Sequence, residues 1–283
     1  MDIRAIFEDN IDEYSDYVDG DVAENMVRLR YRGIAGHDPD GDDLLSLLIW
    51  ELKSVDDRKN TESELKWIYA ADSSFLSPLL EGYHKEVLNE EVRRTFFEST
   101  SLEKEKEAAL EECGFTLESV ESKDITVTID DCKALALARK NAPPYVQSII
   151  FLDYQEFYQG IMNILFKYDN PSQEDLAYLP KEWYEQSVSC FTKTDGKVTG
   201  LLLVHACPSG VLIPILYFAV GVDYRKNLLE MLRFSIGRAA EIYPGNTLIR
   251  IHRRNSVVRD LSGKLFPDKK GEPAVVGERA EKE

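Results

Sequence analysis

The chain has 283 residues, is 43% hydrophobic, and carries 51 Asp and Glu against 34 Lys and Arg, a formal net charge of −17. That length suits two domains of roughly 130–150 residues, and no run reaches the roughly 20 apolar residues that a membrane-spanning helix needs. The charge opposes binding to nucleic acid or an anionic membrane and favours cationic ligands. It is uneven: residues 1–140 hold 34 acidic and 17 basic side chains, and residues 141–283 hold 17 of each. Met1–Asp9 has neither the basic nor the apolar segment of a secretory leader, so the expectation is a soluble, cytoplasmic protein. Cys113, Cys132, Cys190 and Cys207 form no C-x-x-C pair, and His37, His84, His205 and His252 have no ligand spacing, so no metal site is expected.

Apolar residues at Ile3, Ile6, Phe7, Ile11, Tyr14 and Val18 predict an amphipathic helix over 3–18. A second helix is expected over 22–31. Strands at 32–36 and 44–52 flank the turn His37–Asp43 and read as a hairpin. That Asp-rich turn lacks the twelve-residue calcium-loop pattern. A polar turn over 55–62 precedes a strand at Leu65–Ala70, and a helix opens near Pro78. A strand at 92–97, a helix capped by Ser101 and ended by Gly114, and strands at 116–120 and 125–129 complete the first half. A helical patch at 132–139 and Pro143-Pro144 place a domain boundary near 140. The second half reads as a strand (146–152), a helix (154–167), a polar loop with Pro171 and Pro180, and a hairpin (187–192 and 199–207) turning at Asp195-Gly196. A strand (211–220), a helix (225–242), a strand (247–252) and a short helix (257–265) follow. The tail beyond about 267, with Pro, Gly, Lys and Glu, is expected to fray.

The same unit occurs twice: a strand running through a tight turn into an amphipathic helix, at Leu65–Val87 and again at Ile213–Leu232. A helix N-terminus at the end of a strand offers free N–H groups and a positive dipole end to an anion. The order of elements, the strand Leu65–Tyr69, the helix Glu105–Glu112 ending in Cys113-Gly114-Phe115, and the run Leu216–Val220 with Asp223-Tyr224-Arg225 resemble the GNAT superfamily of acetyl-CoA-dependent N-acetyltransferases. The resemblance implies an α+β protein of two GNAT-like domains, 1–140 and 141–283. Each would hold a mixed, mostly antiparallel sheet flanked by helices.

In that family a turn of pattern [R/Q]-x-x-G-x-[G/A] holds the coenzyme pyrophosphate. Arg225 matches its lead, but Leu228 and Glu230 stand where the glycines belong, and the turn Asp72–Leu80 has neither Arg lead nor glycine. The resemblance therefore assigns acetyl-CoA, if bound, to Phe218, Ala219, Val220, Arg225, Lys226, Asn227 and Leu228. It implies acetyl transfer to an amine, on a small molecule or a protein. The alternative is a non-catalytic, pseudoenzyme module that has lost the cradle. A third reading is an interaction domain whose acidic half docks on a basic surface. No catalytic residue is fixed by the sequence. Tyr217, His205, His252, Ser256 and Ser262 are proton-carrier candidates in the second half, with Ser99, Thr100 and Ser101 in the first.

Overall fold

The computed structural model describes residues 1–29, 31–54, 61–168, 179–253 and 256–281. The chain divides into two compact units, Met1–Ser122 with Glu272–Glu283, and Lys123–Gly271.

The first unit contains β1 (Asp2–Ile6), α1 (Gly20–Leu29), β2 (Arg32–His37), β3 (Leu44–Ser54), β4 (Thr61–Ala70), α2 (Leu76–Asn89), β5 (Val92–Ser99), α3 (Lys104–Glu112) and β6 (Thr116–Glu121). Its last strand is β13 (Pro273–Ala280), from the far end of the chain, and the sheet order is β1-β2-β3-β4-β5-β13-β6. Helix α2 buries Leu76, Leu79, Leu80, Tyr83 and Val87, the 3–4 spacing of one face. That face packs on Leu48, Trp50, Leu65 and Phe97. On the other face Leu47 and Ile49 pack with Ile6, Ile11, Tyr14, Val18 and Met26. The alternation along β3 thus feeds two cores.

The second unit contains β7 (Asp124–Thr128), α4 (Ile129–Ala134), β8 (Val146–Ser148), α5 (Tyr154–Tyr168), β9 (Cys190–Thr194), β10 (Lys197–Ala206), β11 (Leu212–Ala219), α6 (Tyr224–Ile242), β12 (Leu248–His252) and α7 (Ser256–Leu265). The sheet order is β7-β12-β11-β10-β9-β8. Asp195 and Gly196, both at positive φ, make the two-residue turn between β9 and β10. Helix α6 packs Met231 and Ala239 on Leu202, Val204, Leu212 and Ala219. Cys132, Cys190 and Cys207 are buried, as small apolar side chains are.

The structure departs from the sequence expectations in several places. The helix expected over 3–18 is a strand, β1, followed by a single 3-10 turn at Ile11–Tyr14. Edge pairing with β2 supplies β1 with backbone partners, and Ile6, Ile11, Tyr14 and Val18 still reach one core, so helical spacing arose without a helix. The strand expected over 146–152 stops at Ser148, whose hydroxyl accepts the Ile150 N–H and opens a 3-10 turn. Helix α3 starts at Lys104 behind Glu103, not at a Ser101 cap. The patch over 132–139 is α4 plus a 3-10 turn at Ala136–Arg139.

The boundary expected near 140 lies at 122/123, because β6 and β7 enter different sheets. The tail expected to fray is β13, hydrogen-bonded on both sides and burying Ala274. Residues 55–60 of the expected polar turn, and the loop around Pro171, lie outside the described residues; Thr61 and Glu62 already belong to β4.

Candidate active site

In each unit two neighbouring parallel strands part. Strands β4 and β5 pair from Thr61↔Val92 to Glu64↔Phe96; β4 then runs on to Ala70 and β5 to Ser99 with no further pairing between the two among the described residues. Among the described residues strands β11 and β12 pair only at Leu212↔Ile249, and β11 runs on to Ala219. A bulge accompanies each parting. Across β3 and β4 the register passes from Ile49↔Trp67 to Trp50↔Leu65, leaving Lys66 extra. Across β10 and β11 it passes from Leu203↔Leu216 to Val204↔Pro214, leaving Ile215 extra. A bulge bends and twists its strand, so β4 and β11 each change course just beyond the last parallel pair. Pro214 also has no N–H to offer. In each unit, therefore, the facing edges of two parallel strands are unpaired with one another on the side where the first strand leads into a helix N-terminus.

The two helix corners differ. In the second unit the turn is Val220-Gly221-Val222-Asp223. Gly221 has φ +91°, the Val220 N–H reaches the Thr199 carbonyl at 2.7 Å, and Val222 is fully exposed. Helix α6 then begins at Tyr224 with no side-chain cap. The Arg225 Nε donates to the Tyr224 hydroxyl at 2.9 Å, and the Lys226 ammonium lies 5.6 Å from the Tyr145 ring centre. Both cations thus stand at an uncapped helix start, where an anion is favoured. In the first unit a 3-10 turn, Ser73–Phe75, precedes α2, and a carboxylate caps that turn: Asp72 accepts the Ser74 N–H at 2.9 Å, while α2 itself has no side-chain cap. The hydrogen bonds from Ser74 hold Asp72 below the usual carboxylate range.

The structure brings Phe218, Ala219, Val220 and Arg225–Leu228 to one strand–turn–helix corner, but not as one surface. Ala219 and Asn227 are buried and Leu228 packs into the core. The turn is also not free of glycine. Counting forward from Arg225 passes over Gly221, the residue whose backbone conformation the turn needs. Glu230 is buried inside α6 and ion-paired with Arg233.

No family model and no curated protein matches the sequence. Solved structures do resemble it. A tandem GNAT protein from the clavulanic acid biosynthesis pathway superimposes with TM-score 0.63 at 7% identity, covering 100% of this chain and 99% of that one. Saccharomyces cerevisiae N-myristoyltransferase, solved with myristoyl-CoA and inhibitors, gives TM-score 0.58 at 11% identity, covering 99% and 79%. An Enterococcus faecalis protein of unknown function, described as a probable N-acyltransferase, gives 0.54 at 10%, covering 98% and 72%. The chain has the tandem GNAT fold.

Within this tandem GNAT fold the proton-carrier candidates separate. Tyr217 lies on β11 and packs against the core that holds Cys190, its hydroxyl pushed up by burial and by Cys190. His252 ends β12, with Nδ1 at 2.5 Å from the Asp124 carboxylate on β7. His205 lies elsewhere: it is buried, stacked on Trp183 at 3.9 Å, with Nδ1 on the Trp183 carbonyl. Ser262 is committed between the Arg253 guanidinium and the Arg259 carbonyl. Ser256 is exposed at the start of α7. Ser99 ends β5, where its hydroxyl accepts the Ser101 N–H, and Thr100 sits in that bend. Sequence reasoning missed Asp124 because it lies 128 positions from His252 and only the β7–β12 pairing joins them. Among the described residues no helix is long and apolar enough to cross a membrane.

Proposed function

We propose that the protein is an acyl-CoA-dependent N-acyltransferase whose second unit takes the coenzyme, acetyl-CoA being the first donor to test. The observation that carries this is the end of β11–β12 pairing ahead of the uncapped start of α6. A pantetheine arm is an extended chain with two amides, and unpaired strand edges are its natural partners. The diphosphate would sit at the first turn of α6, with Arg225 and Lys226 in place of a glycine loop. Charge-assisted hydrogen bonds of about 1.5–3 kcal/mol each outweigh the roughly 0.3–1 kcal/mol of an exposed helix terminus. His252, oriented by Asp124 through Nδ1, would use Nε2 to take the amine proton as nitrogen attacks the thioester carbonyl and the thiolate departs. The first unit, with 35 acidic and 15 basic residues over 1–122 and 272–283, favours a cationic acceptor.

Titration calorimetry with acetyl-CoA and CoA at low salt tests the reading. Micromolar binding at one site per chain is expected, weakened at least tenfold in Arg225→Glu/Lys226→Glu. A second reading, a GNAT fold without coenzyme, draws on the Asp72 cap and on the helical conformation of α6 from Tyr224 onward. Absence of heat with both ligands would favour it.

A further inference from the structure

Strand β13 fills the gap between β5 and β6, and its end is held by one buried carboxylate. The Glu281 side chain is 0% exposed. It accepts from the Thr95 hydroxyl on β5 at 2.5 Å and from Arg279 Nε and Nη2 on β13 at 2.9 and 2.7 Å. His84 Nδ1 on α2 lies 2.7 Å from its other oxygen. The Glu281 N–H donates to the Arg93 carbonyl at 2.9 Å. Thr95 also meets the Tyr83 hydroxyl, which donates to Ser63 on β4, so the carboxylate ends a chain of hydroxyls that crosses β5 and α2 to β4. Arg279 is 12% exposed, lies 4.9 Å from the Phe115 ring centre, and reaches the Cys113 carbonyl.

We propose that β13 is a strap that opens as one local unit with β6, and that the Glu281 carboxylate keeps it shut. The topology makes the two strands open together, since among the described residues β6 is the sheet edge and pairs with β13 alone. Local openings of this kind occur in contiguous pieces below the global stability. The carboxylate controls closure because its removal leaves the Arg279 guanidinium buried without its anion, which is costlier than losing a hydrogen bond. The proposal is independent of coenzyme binding in the second unit.

Hydrogen exchange on the full-length chain tests it, comparing wild type with Glu281→Gln, Glu281→Ala and the control Glu278→Gln. Glu278 lies on the same strand but pairs with Arg94 at the surface. The expected result is at least tenfold faster exchange in β13 and β6 for both Glu281 variants, the smaller effect in Glu281→Gln. Strands β2 and β3 would keep wild-type protection, and Glu278→Gln would match wild type. Unchanged exchange in β6, or equal loss through β2 and β3, overturns the proposal. Should the alanine variant fail to fold, the glutamine variant gives the same reading.

Discussion

Lys66, the extra residue of the β4 bulge, belongs to a four-charge lattice with Glu51, Lys53 and Glu64 across β3 and β4. Its ammonium lies 2.9 Å from Glu51 and 2.7 Å from Glu64. Burial pulls Glu64 up, but Lys66 and Lys53 outweigh it and lower its pKa to about 2. Burial also pulls both lysines down. Tyr31, Glu64 and Glu51 carry Lys66 above its ordinary value, while Lys53, facing Lys66, stays below its own. A carboxylate lowered in the folded state stabilises above its unfolded pKa of about 4.3, and the contribution is lost as pH falls through the folded value. Glu64→Gln is therefore expected to cost about 1–3 kcal/mol at neutral pH. In urea unfolding between pH 7 and 2, the gap to wild type should be constant down to about pH 4.3 and narrow toward pH 2. A gap that does not change with pH would contradict the assignment.

Elements with a strong local pattern, such as α2, the β2–β3 pair and the α3 stop at Gly114, were legible from spacing and turn chemistry. Elements whose existence depends on distant partners were not. β1 needs β2, and β13 needs β5 and β6 on its two sides. The site divides in the same way. The strand–turn–helix corner at Arg225 could be read from local order, whereas the bulges at Lys66 and Ile215, the parting strands and the Asp124–His252 pair exist only in the register between strands. Gly277 shows what that register demands. It lies opposite both Phe97 and Leu117, and a Cβ there would overlap the Phe97 ring and come within 2.9 Å of the Leu117 side chain. Gly277→Ala is expected to destabilise the first unit by about 1–3 kcal/mol through overpacking. The smaller side chain in Phe97→Leu should recover part of that loss in the double variant. Chemical unfolding of the four proteins of the cycle measures the coupling, and strict additivity would refute a direct clash.

At the scale of the whole molecule the chain exchanges strands. The strand after β6 leaves for the second sheet, where β7 pairs with β12, and the strand after α7 returns to the first, where β13 pairs with β5 and β6. By unit the charge is more polarised than by halves: 35 acidic against 15 basic residues in the first, and 16 against 19 in the second. A coenzyme bearing several phosphate charges is repelled by the first field and not by the second. The local chemistry points the same way, with the Asp72 carboxylate capping the 3-10 turn ahead of α2 in one unit and Arg225 and Lys226 standing at the helix start in the other. Saturating acetyl-CoA is therefore expected to slow hydrogen exchange in β11 and the first turns of α6, and to leave β4 and α2 as they are. Asp72→Asn, which removes the negative charge from the first corner, should not by itself create a second site, because that turn brings no cation of its own. Protection appearing at α2 instead of α6 would reverse the assignment of the two units.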